Sequence, residues 1–248
     1  MFLSSVFEKL IYYLNMKFKK PKFWDLKKPN FFSYLLFPFT IPLLINNFLL
    51  SKKNKEKSDK IKTICVGNIY IGGTGKTPTA IKLYEILIKL EFNTSIGKKI
   101  YSSHYDEKML LEKKANLISA KSRKEILNIA VKNNLECLIF DDGLQDKNLS
   151  YNLQFVCFDS CDWIGNGKLI PSGPLREKIL SLKKYDAVFL KNTKSIEPNI
   201  IDTIKKINPE IKIFETKYKI LNLNKFNLSK KYLVFLALEV LQTLKNFN

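Results

Sequence analysis

The sequence predicts an α/β protein, with a mainly parallel sheet flanked by helices, and three observations predict it. From residue 61 onward, short apolar runs alternate with amphipathic helical ones. The first apolar run leads through a glycine-rich turn straight into a helix. Eight of the nine glycines fall in three short segments: Gly67, Gly72, Gly73 and Gly75; Gly143; Gly165, Gly167 and Gly173. Such clustering marks places that need special backbone conformations or close approach by a ligand. Alternation of this kind implies right-handed crossovers, with ligands at the carboxyl ends of the strands.

Lys62–Val66, Cys137–Asp141, Gln154–Asp159 and Asp186–Lys191 read as strands because they are short apolar runs. Thr77–Leu90 and Ile200–Ile207 read as helices, the first of them with Pro78 in its opening turn, where a missing donor costs little. Ahead of the sheet, residues 1–16 are apolar and amphipathic without a basic leader or a small-residue cleavage site, so a signal peptide is not expected. Met16 is an alternative start, since a lysine-rich stretch follows it.

Residues 31–50 carry no charge, which is about the length a helix needs to cross a ~30 Å hydrocarbon core. Pro38 and Pro42 argue against a simple span, and lysines flank both ends. The preferred reading is an interfacial or re-entrant anchor held by lysine on anionic headgroups; a true span and a core helix stay open. The expected organisation is a membrane-associating segment at 1–50, a lysine-rich linker at 51–60, the α/β domain at 61–210 and a further segment at 211–248.

The chain has 248 residues, 46% of them hydrophobic, which is enough for a core and argues against intrinsic disorder. Its net charge of +19 favours an anionic partner: nucleic acid, a bilayer face or a phosphorylated substrate. No nucleic-acid motif is present, and the aromatics lie in the apolar anchor and strands instead of among basic residues. Only Arg123 and Arg176 are arginine among the 42 basic residues, which marks both as places where a planar, forked donor matters. Cys65, Cys137, Cys157 and Cys161 lack metal-ligand spacing, and His104 is the single histidine; buried reduced thiols are expected.

The chemistry is carried by the segment VGNIYIGGTGKTP. A strand, a glycine-rich turn and a helix in this order form a phosphate-binding loop. Backbone amides of Gly72, Gly73, Thr74, Gly75 and Lys76 cradle the β- and γ-phosphates of ATP, Lys76 neutralises them, and Thr77 ligates Mg²⁺. Tyr70 stands where the consensus wants glycine. Further on, LIFDDGLQ ends an apolar strand in Asp141 and Asp142, where a metal-holding carboxylate belongs; a simple turn is the alternative.

Together with GNGKLIPSGPLRE at 165–177, these motifs resemble the lipid A 4'-kinase (tetraacyldisaccharide 4'-kinase) family over roughly residues 17–235. The resemblance implies transfer of the ATP γ-phosphate to an acylated glucosamine disaccharide 1-phosphate at the cytoplasmic face of a bacterial inner membrane. Its partners are then the lipid substrate and an anionic membrane surface, with no obligate protein partner. It further implies ATP and Mg²⁺ contacts at Lys76 and Thr77 and a metal and nucleotide role for Asp141 and Asp142, with Gln145 beside them. Arg176 and Glu177 match the GPLRE motif, where the arginine stabilises the transferred phosphoryl group or binds the substrate phosphate; a structural salt bridge is the plainer alternative.

The catalytic base of the family lies in a Gly-Asp-Glu segment, for which Asp106 and Glu107 in HYDE are the match, with Tyr105 in place of glycine. The preceding motif is reduced to Ser95, Ile96, Gly97 and Lys98. The family also carries a second α/β subdomain with an assisting histidine, whereas this chain ends soon after Tyr232–Leu238 and has only His104. An incomplete second subdomain, and with it an inactive truncated form, is therefore expected as one possibility. The rival reading is a P-loop ATPase of the protein-targeting or metallocentre type, although Ile71 stands where those proteins place a lysine.

Overall fold

The computed structural model describes residues 20–51, 55–100, 105–146, 148–192 and 198–217. His104, the apolar start at 1–16 and the expected strand Tyr232–Leu238 lie outside them. Seven strands form one parallel sheet: β1 (Lys62–Gly67), β2 (Thr94–Lys99), β3 (Leu117–Ala120), β4 (Cys137–Asp141), β5 (Leu153–Asp159), β6 (Ala187–Lys191) and β7 (Lys212–Thr216). Their order is β3-β2-β4-β1-β5-β6-β7, which puts β1 at the centre with β4 and β5 on either side. The crossover direction reverses at β1, so the crevice at its carboxyl end is the natural ligand site.

The central strands β1 and β4 are mostly apolar because both faces are covered. Ile64 and Val66 of β1 and Ile139 of β4 face a layer that includes Ala80 and Leu111. Cys65, Leu138 and Phe140 face the opposite layer, with Ile126, Ala130 and Ile204. The first layer belongs to α3 (Lys76–Lys89) and α4 (Tyr105–Lys114), the second to α5 (Arg123–Lys132) and α6 (Pro198–Ile207). Ser122 caps α5 by accepting from the Glu125 amide at 3.2 Å, a local signal that sets its start.

Residues 31–50 fold as α1 (Phe31–Leu35), a 3-10 turn (Phe37–Thr40) and α2 (Ile41–Ser51). The breaks fall beside Pro38 and Pro42, and Asn30 and Ser33 form a reciprocal capping box at the start of α1. Among the described residues no helix is long and apolar enough to cross a membrane. This segment is docked on the α/β domain: Trp24 Nε1 donates to the Pro171 carbonyl at 3.0 Å, Asn166 Nδ2 to Ser33 Oγ at 2.9 Å, and Asn47 Nδ2 to the Arg176 carbonyl at 3.0 Å.

Three details differ from the sequence reading. The stretch 55–60 is tied to the domain, because Glu56 bridges to Leu149 and Lys124. Lys212–Thr216 pairs in parallel with β6, so the main sheet runs past residue 210. Cys65, Cys137 and Cys157 are buried free thiols as expected, with burial pushing Cys157 up to about 12, but Cys161 is exposed.

Candidate active site

The phosphate-binding loop leaves β1 at Gly67 and enters α3 through Gly75, whose φ of 84° only glycine adopts readily. The loop is clamped from outside by the GPLRE segment. Ile71 N donates to Pro174 O at 2.9 Å and Arg176 N to Ile69 O at 2.7 Å, while Tyr70 and Leu175 form an antiparallel bridge. Tyr70 is wholly buried; its hydroxyl donates to Asp25 Oδ1 at 3.2 Å and meets Lys20, and its ring packs with Leu43, Leu44 and Leu169. The residue that replaces the consensus glycine therefore points away from the phosphate side and fastens the loop to the N-terminal segment.

Thr77, in the first turn of α3, donates its Oγ1 proton to Asp141 Oδ2 at 2.9 Å. Asp141 is the last residue of β4 and its side chain is fully buried. Its other oxygen, Oδ1, is buried with no hydrogen-bond partner among the described residues. Gly72 and Gly73 are exposed, Lys76 is half-buried, and Thr74 is buried with its hydroxyl unpartnered. Gly72 has a φ of 143°.

Asp142 departs from its neighbour. Its φ is 64°, in the left-handed region that aspartate and asparagine enter more readily than other non-glycine residues. Arg176 Nη1 lies 3.6 Å from Asp142 Oδ1 and donates to Gln145 Oε1 at 3.5 Å. Gln145 Nε2 in turn donates to Asn68 O at 3.0 Å and to Glu177 Oε1 at 2.9 Å. The Glu177 carboxylate is also met by Tyr185 at 3.1 Å and Lys184 at 2.5 Å. It is spent on protein partners, so Glu177 holds Gln145 and Arg176 in place.

Arg123 lies at the back of the same loop. It donates to the Asp142 carbonyl and, through Nη1, to Asp146 Oδ2 at 3.0 Å. Burial works to raise the Asp146 carboxyl, but the amides of Asn148 and Leu149 and the Arg123 guanidinium hold it below the usual range. Both arginines thus grip the loop after β4, one from each side.

Glu107 is in the first turn of α4, and Asp106 precedes it in the same turn with its side chain outside the described part. The sequence reading missed what fills the space between α4 and β4. Lys98, at the end of β2, is buried and donates to Asp141 Oδ2 at 2.6 Å and to Glu107 Oε2 at 2.5 Å. Burial opposes its charge, yet Asp141 and Glu107 together raise it above the ordinary lysine value. Beside the loop, a cleft of about 370 Å³ is lined by Gly75, Thr79, Phe189, Lys191 and Thr216, and Lys191 is held by Asp159 at 2.9 Å.

Among the described residues no group of three or more His, Cys, Asp or Glu side chains is placed to hold a metal. A magnesium ion that takes one or two protein oxygens, with phosphate and water for the rest, needs no such cluster. The Thr77 hydroxyl, the Asp141 carboxylate and its orphaned Oδ1 fit that kind of ion.

The profile of the family described as Tetraacyldisaccharide-1-P 4'-kinase matches residues 35–103 and 94–237. The chain belongs to that family. It is 52% identical over 220 residues to the tetraacyldisaccharide 4'-kinase of Pelagibacter ubique, covering 89% of this chain and 70% of that protein. With the Rickettsia felis protein of the same name it shares 32% over 216 residues, 79% of this chain and 66% of the relative. A crystal structure of LpxK from Aquifex aeolicus in complex with ATP superposes with a TM-score of 0.58 at 22% identity, over 74% of this chain and 64% of that one. The chain described here aligns with 64–70% of the length of these three proteins. Its fold, a parallel sheet with a glycine-rich loop after the central strand β1, is P-loop NTPase-like.

Proposed function

We propose that this chain transfers the γ-phosphate of ATP to the 4'-hydroxyl of a tetraacyl glucosamine disaccharide 1-phosphate, in lipid A synthesis, at the cytoplasmic face of the inner membrane. The observation that carries the reading is the convergence of Thr77 Oγ1, in the first turn of α3 behind a glycine-rich loop, and Asp141 Oδ2, at the end of β4 beside β1, 2.9 Å apart. The amides of Gly72–Lys76 and the Lys76 ammonium bind the terminal phosphates, and Thr77 with Asp141 holds the metal. Magnesium, when bound, neutralises charge on the phosphate oxygens. Arg176, steadied by Gln145 and Asp142, lies beside the same strand ends and supplies a second positive charge for the phosphoryl group. Asp106 accepts the proton of the sugar hydroxyl as it attacks.

Label from ATP is expected on the lipid when the chain meets the acylated disaccharide 1-phosphate in mixed micelles. Asp106→Ala should lower that transfer by about 100-fold or more, the usual worth of a positioned base. No label with the native chain would sink the reading, and undiminished transfer by Asp106→Ala would move the base elsewhere.

The membrane side of the proposal rests on the N-terminal helices. Phe31, Phe32, Leu35, Phe39, Ile45 and Phe48 are exposed on α1, the 3-10 turn and α2, far more apolar surface than a scattered hydrophobe or two. Lys168 sits over the rings of Tyr34 and Phe37 at 5.5 and 5.9 Å, so positive charge borders the patch. Such a surface suits insertion into an anionic leaflet. Replacing Phe31, Phe39 and Phe48 together by serine should weaken flotation with anionic liposomes at least about tenfold, without lowering the melting temperature. Equal flotation would remove these helices from the membrane contact.

A further inference from the structure

The buried cation beside Asp141 has a consequence beyond the proposed reaction, although it rests on reading this site as one for a magnesium nucleotide. One oxygen, Asp141 Oδ2, is shared by two donors: Thr77 Oγ1 at 2.9 Å and Lys98 Nζ at 2.6 Å. In a P-loop enzyme the corresponding hydroxyl and carboxylate flank the divalent ion. Here the positive charge next to that carboxylate comes from the protein itself. Lys98 is nearly as buried as its partner, with side chains 7% and 0% exposed, so water screens neither charge. Its second contact, Glu107 at 2.5 Å, joins this ion pair to the first turn of α4, the turn that also contains Asp106.

We propose that Lys98 is a resident counter-cation for Asp141: a positioning residue that keeps the metal site closed to free Mg²⁺ until nucleotide arrives. A buried carboxylate needs a compensating charge, and the flexible stem and compact ammonium of lysine can supply one and then withdraw. Free Mg²⁺ entering alone would add two positive charges beside one already present. A magnesium nucleotide brings its own phosphate charge, so the lysine can yield Asp141 while keeping Glu107. Metal occupancy is thereby made dependent on nucleotide, and the position of the α4 turn is made dependent on both.

The test is thermal melting of the native chain and Lys98→Met in EDTA, in millimolar Mg²⁺ alone, and in Mg²⁺ with ATP. Lys98→Met should melt several degrees lower in EDTA and recover most of that loss in Mg²⁺ alone, because the ion replaces the missing ammonium. Mg²⁺ alone should leave the native chain unmoved. Adding Asp141→Asn to Lys98→Met should abolish the magnesium effect. An equal response of the two proteins to Mg²⁺ alone, or a magnesium effect that survives Asp141→Asn, overturns the proposal. If Lys98→Met does not fold in EDTA, its refolding yield replaces melting: recovery in Mg²⁺ supports the proposal, and equal failure with and without the ion overturns it. Mg²⁺ with ATP should stabilise the native chain in every case. Failure there would sink the nucleotide-site reading, whereas success there alongside equal Mg²⁺ responses sinks only the role of Lys98.

Discussion

Lys76→Ala is expected to lower phosphate transfer to lipid about 1,000-fold while the protein stays folded, in line with the loss of a charge preorganised for the transition state. Lys76 opens α3 and is half-buried at the mouth of the loop, in contrast to the core-facing Thr77, Thr79 and Ala80 that follow. Alanine is a good helix former, so the helix start should survive. The loop itself is held by bonds that do not involve Lys76, chiefly those from Ile71 to Pro174 and from Arg176 to Ile69. The charge on the phosphoryl oxygens grows or spreads in the transition state, so most of the loss should fall on kcat. Single-turnover transfer with labelled ATP, beside a melting curve within a few degrees of the native one, checks both halves. Turnover within tenfold of native would show that Lys76 does not meet the transferred phosphate.

Arg123→Met should cost about 3 kcal/mol of stability and lower the melting temperature by roughly 10 °C. The side chains of Arg123 and Asp146 are only 11% and 13% exposed, which leaves little solvent screening of the pair. Removing the guanidinium strands a buried carboxylate and frees the Asp142 carbonyl in a stretch whose backbone already holds a positive φ. Arg123→Lys should recover only part of the loss, because the guanidinium reaches the two oxygens from separate nitrogens, Nη1 and Nη2, a span the single ammonium of lysine lacks. The pH dependence has a definite sign. Asp146 titrates below its unfolded value, so its contribution is present above that value and fades as pH falls through the folded one. Without Arg123 the folded value rises toward the unfolded one, and the extra stability of the native chain over Arg123→Met should shrink in acid. Melting curves from neutral pH down to pH ~3 measure this; a constant gap would show that the ion pair does not carry the stabilisation.

The elements that were legible in the sequence are those whose signal is local. β1, β4, β5 and β6 are short, mostly apolar runs, and α3 announces itself by a glycine-rich turn and an amphipathic face. β2 was not legible as a strand: Thr94–Lys99 is mostly polar, yet it is buried because β3 and β4 flank it and Ile126 of α5 packs onto Gly97. β7 escaped for the opposite reason, since its mostly exposed residues leave only backbone pairing with β6 to define it. α5 had a readable start in Ser122 and Glu125, a cap that composition-level reading passed over. The two arginines singled out in the sequence, Arg123 and Arg176, both contact the loop after β4.

By itself the sequence determined the kinase family, the sheet class and the nucleotide loop, because a phosphate cradle is made of contiguous backbone and its adjacent residues, and contiguous chemistry survives in the order of letters. Only the tertiary structure decided that Tyr70 turns away into the N-terminal segment, that Glu177 is spent on Gln145, Tyr185 and Lys184, and that Lys98 supplies the charge facing Asp141. Tyr70 with Asp25, Gln145 with Glu177 and Lys98 with Asp141 are 45, 32 and 43 positions apart. A lysine in a lysine-rich chain carries no mark of burial, and it acquires one only when neighbouring strands bring a carboxylate within hydrogen-bond reach in a space that excludes water.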